Sequence, residues 1–226
     1  MNLKTPLTLV LLFALLLPAA GQQTEAEYLL ETSRAVDLTR YENIRGTPYR
    51  YDDFLPGVIY DITLNPYELD SLNYNGFTHQ FEYYANGELR ELANNNYLRA
   101  VIQAGEDESH VYGWNLNPKF RNHYAELLYT GEFVSATMVY EVVNDEKIVQ
   151  DVGETKRLQR FNKQENLYAS VDGDLVALSS SAKRLADDLG YRSEITDFIK
   201  ENKLKPSDRQ DLVKILAFAD ELHASR

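Results

Sequence analysis

From Gly57 to about Leu178, short stretches rich in Tyr, Phe, Val, Ile and Thr are punctuated by Asn, Gly and Asp, and this rhythm limits the fold more than any other feature. Aromatic and β-branched side chains suit a pleated, half-buried surface. Turn residues recur roughly every 8 to 15 positions, which is the spacing of a sandwich or barrel and not of β-α-β units. Phe77 to Tyr83 alternates apolar and polar residues with period two. Asn86-Gly87 then supplies the positive-φ pair of a tight hairpin before Glu88 to Leu92, and Asn75-Gly76 reads as a second such turn. Further strands are predicted over Tyr97 to Ala104, Ser109 to Trp114, Asn122 to Thr130, Glu132 to Val143, Lys156 to Phe161 and Asn166 to Val171. Asp172-Gly173-Asp174 forms a last apex before Leu175 to Leu178. The expectation is a meander of roughly nine or ten strands.

Beyond Ser181 the pattern switches to a helical period. Ser207 and Gln210 have the spacing of a capping box, and Leu212, Ile215, Leu216, Ala219 and Leu222 share one face. Ser193 is placed to cap a helix carrying Ile195, Phe198 and Ile199, and Ala182, Leu185, Ala186 and Leu189 form another that Gly190 can end. Helices this short are marginal alone, so their apolar stripes must pack on the sheet or on each other. The expected fold class is therefore α+β: an antiparallel β-meander, as a bent sheet, sandwich or partly rolled barrel, followed by two or three C-terminal helices.

The N-terminus bears on compartment. Lys4 precedes an apolar run from Leu7 to Leu17, and Ala19-Ala20-Gly21 offers small residues for cleavage, which is the layout of a secretory signal peptide over residues 1–21. The run falls well short of the roughly 20 residues that a membrane-spanning helix needs. Residues 22–56 are read as an N-terminal segment with an aromatic turn, and 57–226 as a single β-rich domain with helices over about 181–223. Gln22 to Tyr41 is compatible with a helix starting near Thr24 or with a loose tether. The chain has no cysteine, which excludes disulfides, thiolate metal sites and a lipid-modified cysteine, and implies that one conventional hydrophobic core supplies the stability. With 35 acidic against 23 basic residues the net charge is −12, and the excess lies before Ser181. A field of that sign repels phosphate backbones and anionic lipid, so nucleic acid is not an expected partner.

Several segments together carry a resemblance. Tyr41-Glu42-Asn43-Ile44-Arg45-Gly46-Thr47-Pro48-Tyr49, then Phe54 and Gly57, then Asn122 to Gly131 with Tyr124-Ala125-Glu126-Leu127-Leu128-Tyr129-Thr130-Gly131, then Phe198 to Leu204 ahead of the last helix, resemble a group of small exported proteins of Bacteroidota. That resemblance implies export, a Tyr-rich meander and a helical tail. It implies no activity and transfers no catalytic residue.

Candidate chemistry is sparse. The stretch Gly46 to Gly57 combines turn residues, including a Pro56-Gly57 pair read as a turn before the first strand, with Tyr49, Tyr51 and Phe54. A functional reading makes Arg45, Arg50, Asp52 and Asp53 the rim of a binding site, whereas turn chemistry and aromatic packing explain the segment without one. Sixteen tyrosines could stack sugar rings, yet Tyr is also a strong strand former. His79, His110, His123 and His223 show none of the local spacings of a zinc motif, although His79 near Glu82, or His123 near Glu126, could act as a general base. Glu106-Asp107-Glu108 and Asp172-Gly173-Asp174 do not fit a calcium loop. An outer-membrane barrel would need a closing strand where the helical tail stands. The sequence thus predicts a soluble exported binding or interaction protein of the cell envelope, in the periplasm or outside the cell, without cofactor or metal. Its partner would be an envelope protein or an apolar or glycan ligand. The alternative is a hydrolase acting on glycans through a carboxylate pair.

Overall fold

The computed structural model describes residues 24–106, 108–151 and 154–225; the predicted signal peptide lies outside them. Thr24 opens the first helix, α1 (Glu25–Glu31), through a capping box in which its hydroxyl accepts from the Glu27 amide and the Glu27 carboxylate accepts from the Thr24 amide. β1 (Ser33–Ala35), β2 (Ile44–Arg45), β3 (Leu55–Asp61), β4 (Pro66–Asn75), β5 (Gln80–Ala85) and β6 (Glu88–Leu92) follow. After them come β7 (Tyr97–Gln103), β8 (Ser109–Trp114), β9 (Tyr124–Thr130), β10 (Val134–Asp151), β11 (Glu154–Val171) and β12 (Asp174–Ala177). The helices α2 (Ala182–Asp188), α3 (Arg192–Glu201) and α4 (Arg209–Ala224) close the chain. The α+β class with an antiparallel sheet and C-terminal helices is as the sequence predicts.

Among the described residues the sheet has twelve strands, in the order β1-β6-β5-β4-β3-β7-β8-β9-β10-β11-β12, with β2 parallel to β11. It is not one meander. After β6 the chain crosses back so that β7 pairs with β3, which leaves the first long strand in the middle of the sheet. Asn86-Gly87 and Asp172-Gly173 adopt the positive φ pairs that their hairpins need. Asn75-Gly76 does not: β5 begins only at Gln80, and a longer turn has its left-handed residue at His79, with φ 58°. The Asn75 side chain holds that turn by accepting from the Phe77 and Thr78 amides. Pro56-Gly57 lies within β3, at a register shift against β4, and is not a turn before it. The separate strands predicted over Lys156 to Phe161 and Asn166 to Val171 are one strand of 18 residues, β11, paired along its length with the equally long β10. At about 3.3 Å per residue each runs for roughly 60 Å. Their distal halves lie beyond the pairings with β9 and β12 and form a two-stranded arm, whose root β2 joins at Gln159 and Arg160.

The sheet rolls around tyrosines. β4 and β10 are five places apart, roughly 24 Å across a flat sheet. Nevertheless the Val142 amide on β10 donates to the Gly76 carbonyl just after β4, at 2.9 Å. A Cβ on Gly76 would lie 2.6 Å from the Tyr140 ring, so only glycine lets the two backbones approach this closely. Inside the roll Tyr74 lies 5.7 Å from Tyr112, 6.2 Å from Tyr124 and 6.3 Å from Tyr140, centroid to centroid. Buried phenols need partners. Tyr112 meets Tyr51 Oη at 2.7 Å, Tyr124 donates to the Tyr97 carbonyl at 3.0 Å, and Tyr140 donates to the Tyr49 carbonyl at 2.9 Å.

A second cluster replaces the single core expected from sequence. Val134, Ala136 and Ala169 on β10 and β11 bury against Leu185, Leu189, Ile195, Ile199, Leu212, Ile215, Leu216 and Ala219 of the three helices. The small side chains on the strands let the helices sit close. Gly190, with φ 86°, ends α2 as predicted. The N-cap of α4 is Asp208, whose carboxylate accepts from the Asp211 amide, and not Ser207; α3 starts before Ser193, at Arg192. Asp220 on α4 accepts the amides of Glu132, Phe133 and Val134 at 3.2, 2.8 and 2.7 Å, which fixes the helix to the β9–β10 turn. Among the described residues no helix is long and apolar enough to cross a membrane.

Candidate functional site

The four residues predicted as a binding rim do not converge. Parallel pairing of β2 with β11 sets Arg45 opposite Arg160, exposed at the root of the arm. Arg50 turns elsewhere, into an ion pair with Glu165 at 2.5 Å and over the Tyr140 ring at 5.3 Å. Asp52 and Asp53 are exposed. The aromatic reading of this segment fits better: Tyr49 packs on Phe54 at 5.1 Å and Phe54 on Tyr84 at 5.0 Å, while Tyr51 packs on His110 at 5.4 Å.

Arg45 nonetheless borders a cleft. A cavity of about 680 Å³ opens where β2 meets the arm, lined by Leu158, the buried Phe161, and the cations Arg45, Lys147, Arg160 and Lys163. Asp145 is the one acid in its lining. Ladder register sets Lys147, Leu158, Asp145 and Arg160 on one face of the hairpin, because Lys147 lies opposite Leu158 and Asp145 opposite Arg160, whereas Phe161 and Lys163 alternate to the other face. Among the described residues none of the four cations is held in an ion pair. The lining is net positive on a chain of net charge −12.

The buried carboxylates are engaged inside the protein. Glu82 and Glu91 face each other on β5 and β6, where two like charges would repel. Arg40 bridges them, at 2.5 Å to Glu82 and 3.3 Å to Glu91. Tyr49 Oη and Asn75 Nδ2 each donate to Glu82 at 2.7 Å, and Arg34 Nε donates to Glu91 at 2.6 Å. Burial, then the Glu82 charge, pushes the Tyr49 phenol far above its ordinary range. Glu126 is paired with His110 at 2.6 Å and with Arg209. Most of the strand tyrosines that could have formed a glycan platform, including Tyr83, Tyr97, Tyr112, Tyr124, Tyr140 and Tyr168, are buried in the packing.

Two of the four histidines meet a different acid from those nearest in sequence. His79 in the β4–β5 turn and His123 just before β9 stand with ring centroids 3.8 Å apart, and Glu141 on β10 joins them. One potential ligand atom from each of the three lies within 4.8 Å of the others. His123 Nδ1 is 2.8 Å from the Arg121 carbonyl, and Glu141 Oε2 accepts from Asn166 Nδ2 at 2.7 Å. His79 Nδ1 is buried and has no hydrogen-bond partner among the described residues. Burial, then the neighbouring His123, pushes His79 down to about 4. The residues are 44 and 18 positions apart in the chain, so no local spacing could have revealed the group. His110 and His223 are structural by comparison, the latter bonding Asp172 at 3.0 Å and the Leu189 carbonyl at 3.1 Å.

Compared with known protein families, curated proteins and solved structures, the chain matches none.

Proposed function

We propose that this is an exported binding protein of the cell envelope, of the Bacteroidota type that its sequence resembles, and that the cleft at the root of the arm takes an anionic amphiphile. The reading rests on one observation: Arg45, Lys147, Arg160 and Lys163 line the same cleft as the exposed Leu158, and among the described residues none of the four is in an ion pair. An anionic head placed among these cations gains charge-assisted contacts, and an apolar tail against the exposed Leu158 leaves water. The inside of the roll is filled by tyrosine rings, which favours this outer cleft over the concave face as the ligand site. The buried glutamates are consumed by ion pairs, so the carboxylate-pair hydrolase gains no support from them.

Titration calorimetry with alkyl sulfates of increasing length, each below its micelle concentration, tests the proposal. Affinity should rise up to about fourfold per added methylene, the equivalent of about 0.8 kcal/mol, and fall with salt. The double substitution Arg160→Glu, Lys163→Glu should weaken binding at least tenfold with an unchanged circular dichroism spectrum. Affinity indifferent to chain length, or to the charge reversal, would overturn the reading.

A further inference from the structure

We infer that His79, His123 and Glu141 form a binding site for one divalent transition-metal ion, with zinc the best match to their donors. The proposal is independent of the cleft and rests on four features of the group.

The first is chemical. Two imidazoles and one carboxylate are a recognised zinc donor set, and three protein donors leave a further position for water or another ligand. Nitrogen donors also select against magnesium and calcium, which prefer all-oxygen shells. Glu141 contributes the negative charge that two neutral imidazoles lack.

The second is the orientation of the donors. A backbone carbonyl can only accept, so the contact from His123 Nδ1 to the Arg121 carbonyl fixes the proton on Nδ1 and leaves the Nε2 lone pair free. Asn166 occupies Glu141 Oε2 and thereby orients the carboxylate, with Oε1 open. Histidine and carboxylate ligands of metal sites are commonly held by such outer partners.

The third is the position of His79. Its backbone takes the left-handed conformation, φ 58°, which is uncommon for a residue with a side chain. Its Nδ1 is buried without a partner among the described residues, so hydrogen bonding to them does not account for placing the ring there. Two imidazoles 3.8 Å apart would repel if both carried a proton, and a shared cation between neutral rings removes that conflict.

The fourth is reach. Donor atoms on a tetrahedral zinc, with bonds of about 2.0–2.1 Å, are roughly 3.3 Å apart. The three donors here already lie within 4.8 Å, so a contraction of about 1.5 Å or less, within the range of side-chain torsions, completes the site. The group also joins the β4–β5 turn, the start of β9 and β10. A metal there would clasp the seam at which the Val142 amide meets the Gly76 carbonyl.

The test uses tag-free protein, stripped with a chelator and titrated with Zn²⁺ against a chromophoric competitor. One equivalent should bind, with affinity reduced at least tenfold in His123→Ala and in Glu141→Gln. Zn²⁺ should raise the melting temperature of the unsubstituted chain and leave that of the variants nearly unchanged. Glu141→Gln keeps the size of the side chain and carries the test if His123→Ala does not fold. No stoichiometric binding of Zn²⁺, Ni²⁺ or Cu²⁺, or equal affinity in the folded variants, would overturn the assignment.

Discussion

Replacing Asp220 by alanine should cost about 2–3 kcal/mol of stability, because the side chain is the joint between α4 and the sheet. Three backbone amides donate to its carboxylate at 2.7 to 3.2 Å. Hydrogen bonds to a charged acceptor are worth about 1.5–3 kcal/mol each when buried, and partial exposure here argues for about 1 kcal/mol apiece or less. The Tyr129 hydroxyl, 3.4 Å away, adds little. With a urea dependence of about 1–3 kcal/mol per molar, the unfolding midpoint should drop by about 1 M. A companion substitution isolates the cause. A Cβ on Gly131 would fall inside van der Waals contact of the same carboxylate, so Gly131→Ala breaks the same joint. The double variant should therefore lose much less than the sum of the two single losses. The pH dependence has a defined sign. Burial opposes the charge on Asp220, but the amides of Val134, Phe133 and Glu132 outweigh it and hold the folded pKa below the ordinary value. Its contribution is thus fully present above the unfolded pKa of about 3.9 and is lost as pH falls through the lower folded value. The stability curves of the unsubstituted chain and Asp220→Ala should converge in acid. A loss below about 0.5 kcal/mol at neutral pH, or additive losses in the double variant, would refute the reasoning.

Arg40→Ala should cost about 3–5 kcal/mol, measured by urea unfolding, since it strips Glu82 of its cation and weakens the neutralisation of Glu91. An unchanged midpoint would show that the two carboxylates do not depend on Arg40. Gly76→Ala should cost about 1–3 kcal/mol by displacing Tyr140, with slower loss of protection elsewhere than at the Val142 amide in hydrogen exchange. Uniform protection would show that the seam is not the weak point.

How much of this was legible in the chain differs by element. Strands β5 to β9 were readable because alternation and turn residues are local signals, and Asn86-Gly87 and Asp172-Gly173 adopt the backbone that their side chains favour. The crossing from β6 to β7 was not readable, since pairing with β3 depends on partners far away in sequence. The arm was missed for a different reason. Asp145, Glu146, Lys147, Lys163 and Gln164 are weak strand formers, and their strands are held by ladder bonds along a long hairpin rather than by propensity. Lys147, Arg160 and Lys163 went unremarked with it, although Arg45 across from them was singled out. Asp208 and Ser207 are both good capping residues, so composition alone could not fix the first turn of α4. The sequence also named His79 and His123, but assigned them the nearest acids; only the rolling of the sheet brings Glu141 to both.

Native mass spectrometry of the protein purified without detergent from cells of its own producer probes the cleft most directly. The expected spectrum contains a mass adduct of one anionic amphiphile on the unsubstituted chain, lost in the Arg160→Glu, Lys163→Glu variant. A bare polypeptide mass in both samples, or the same adduct on both, would contradict a ligand held among Arg45, Lys147, Arg160 and Lys163.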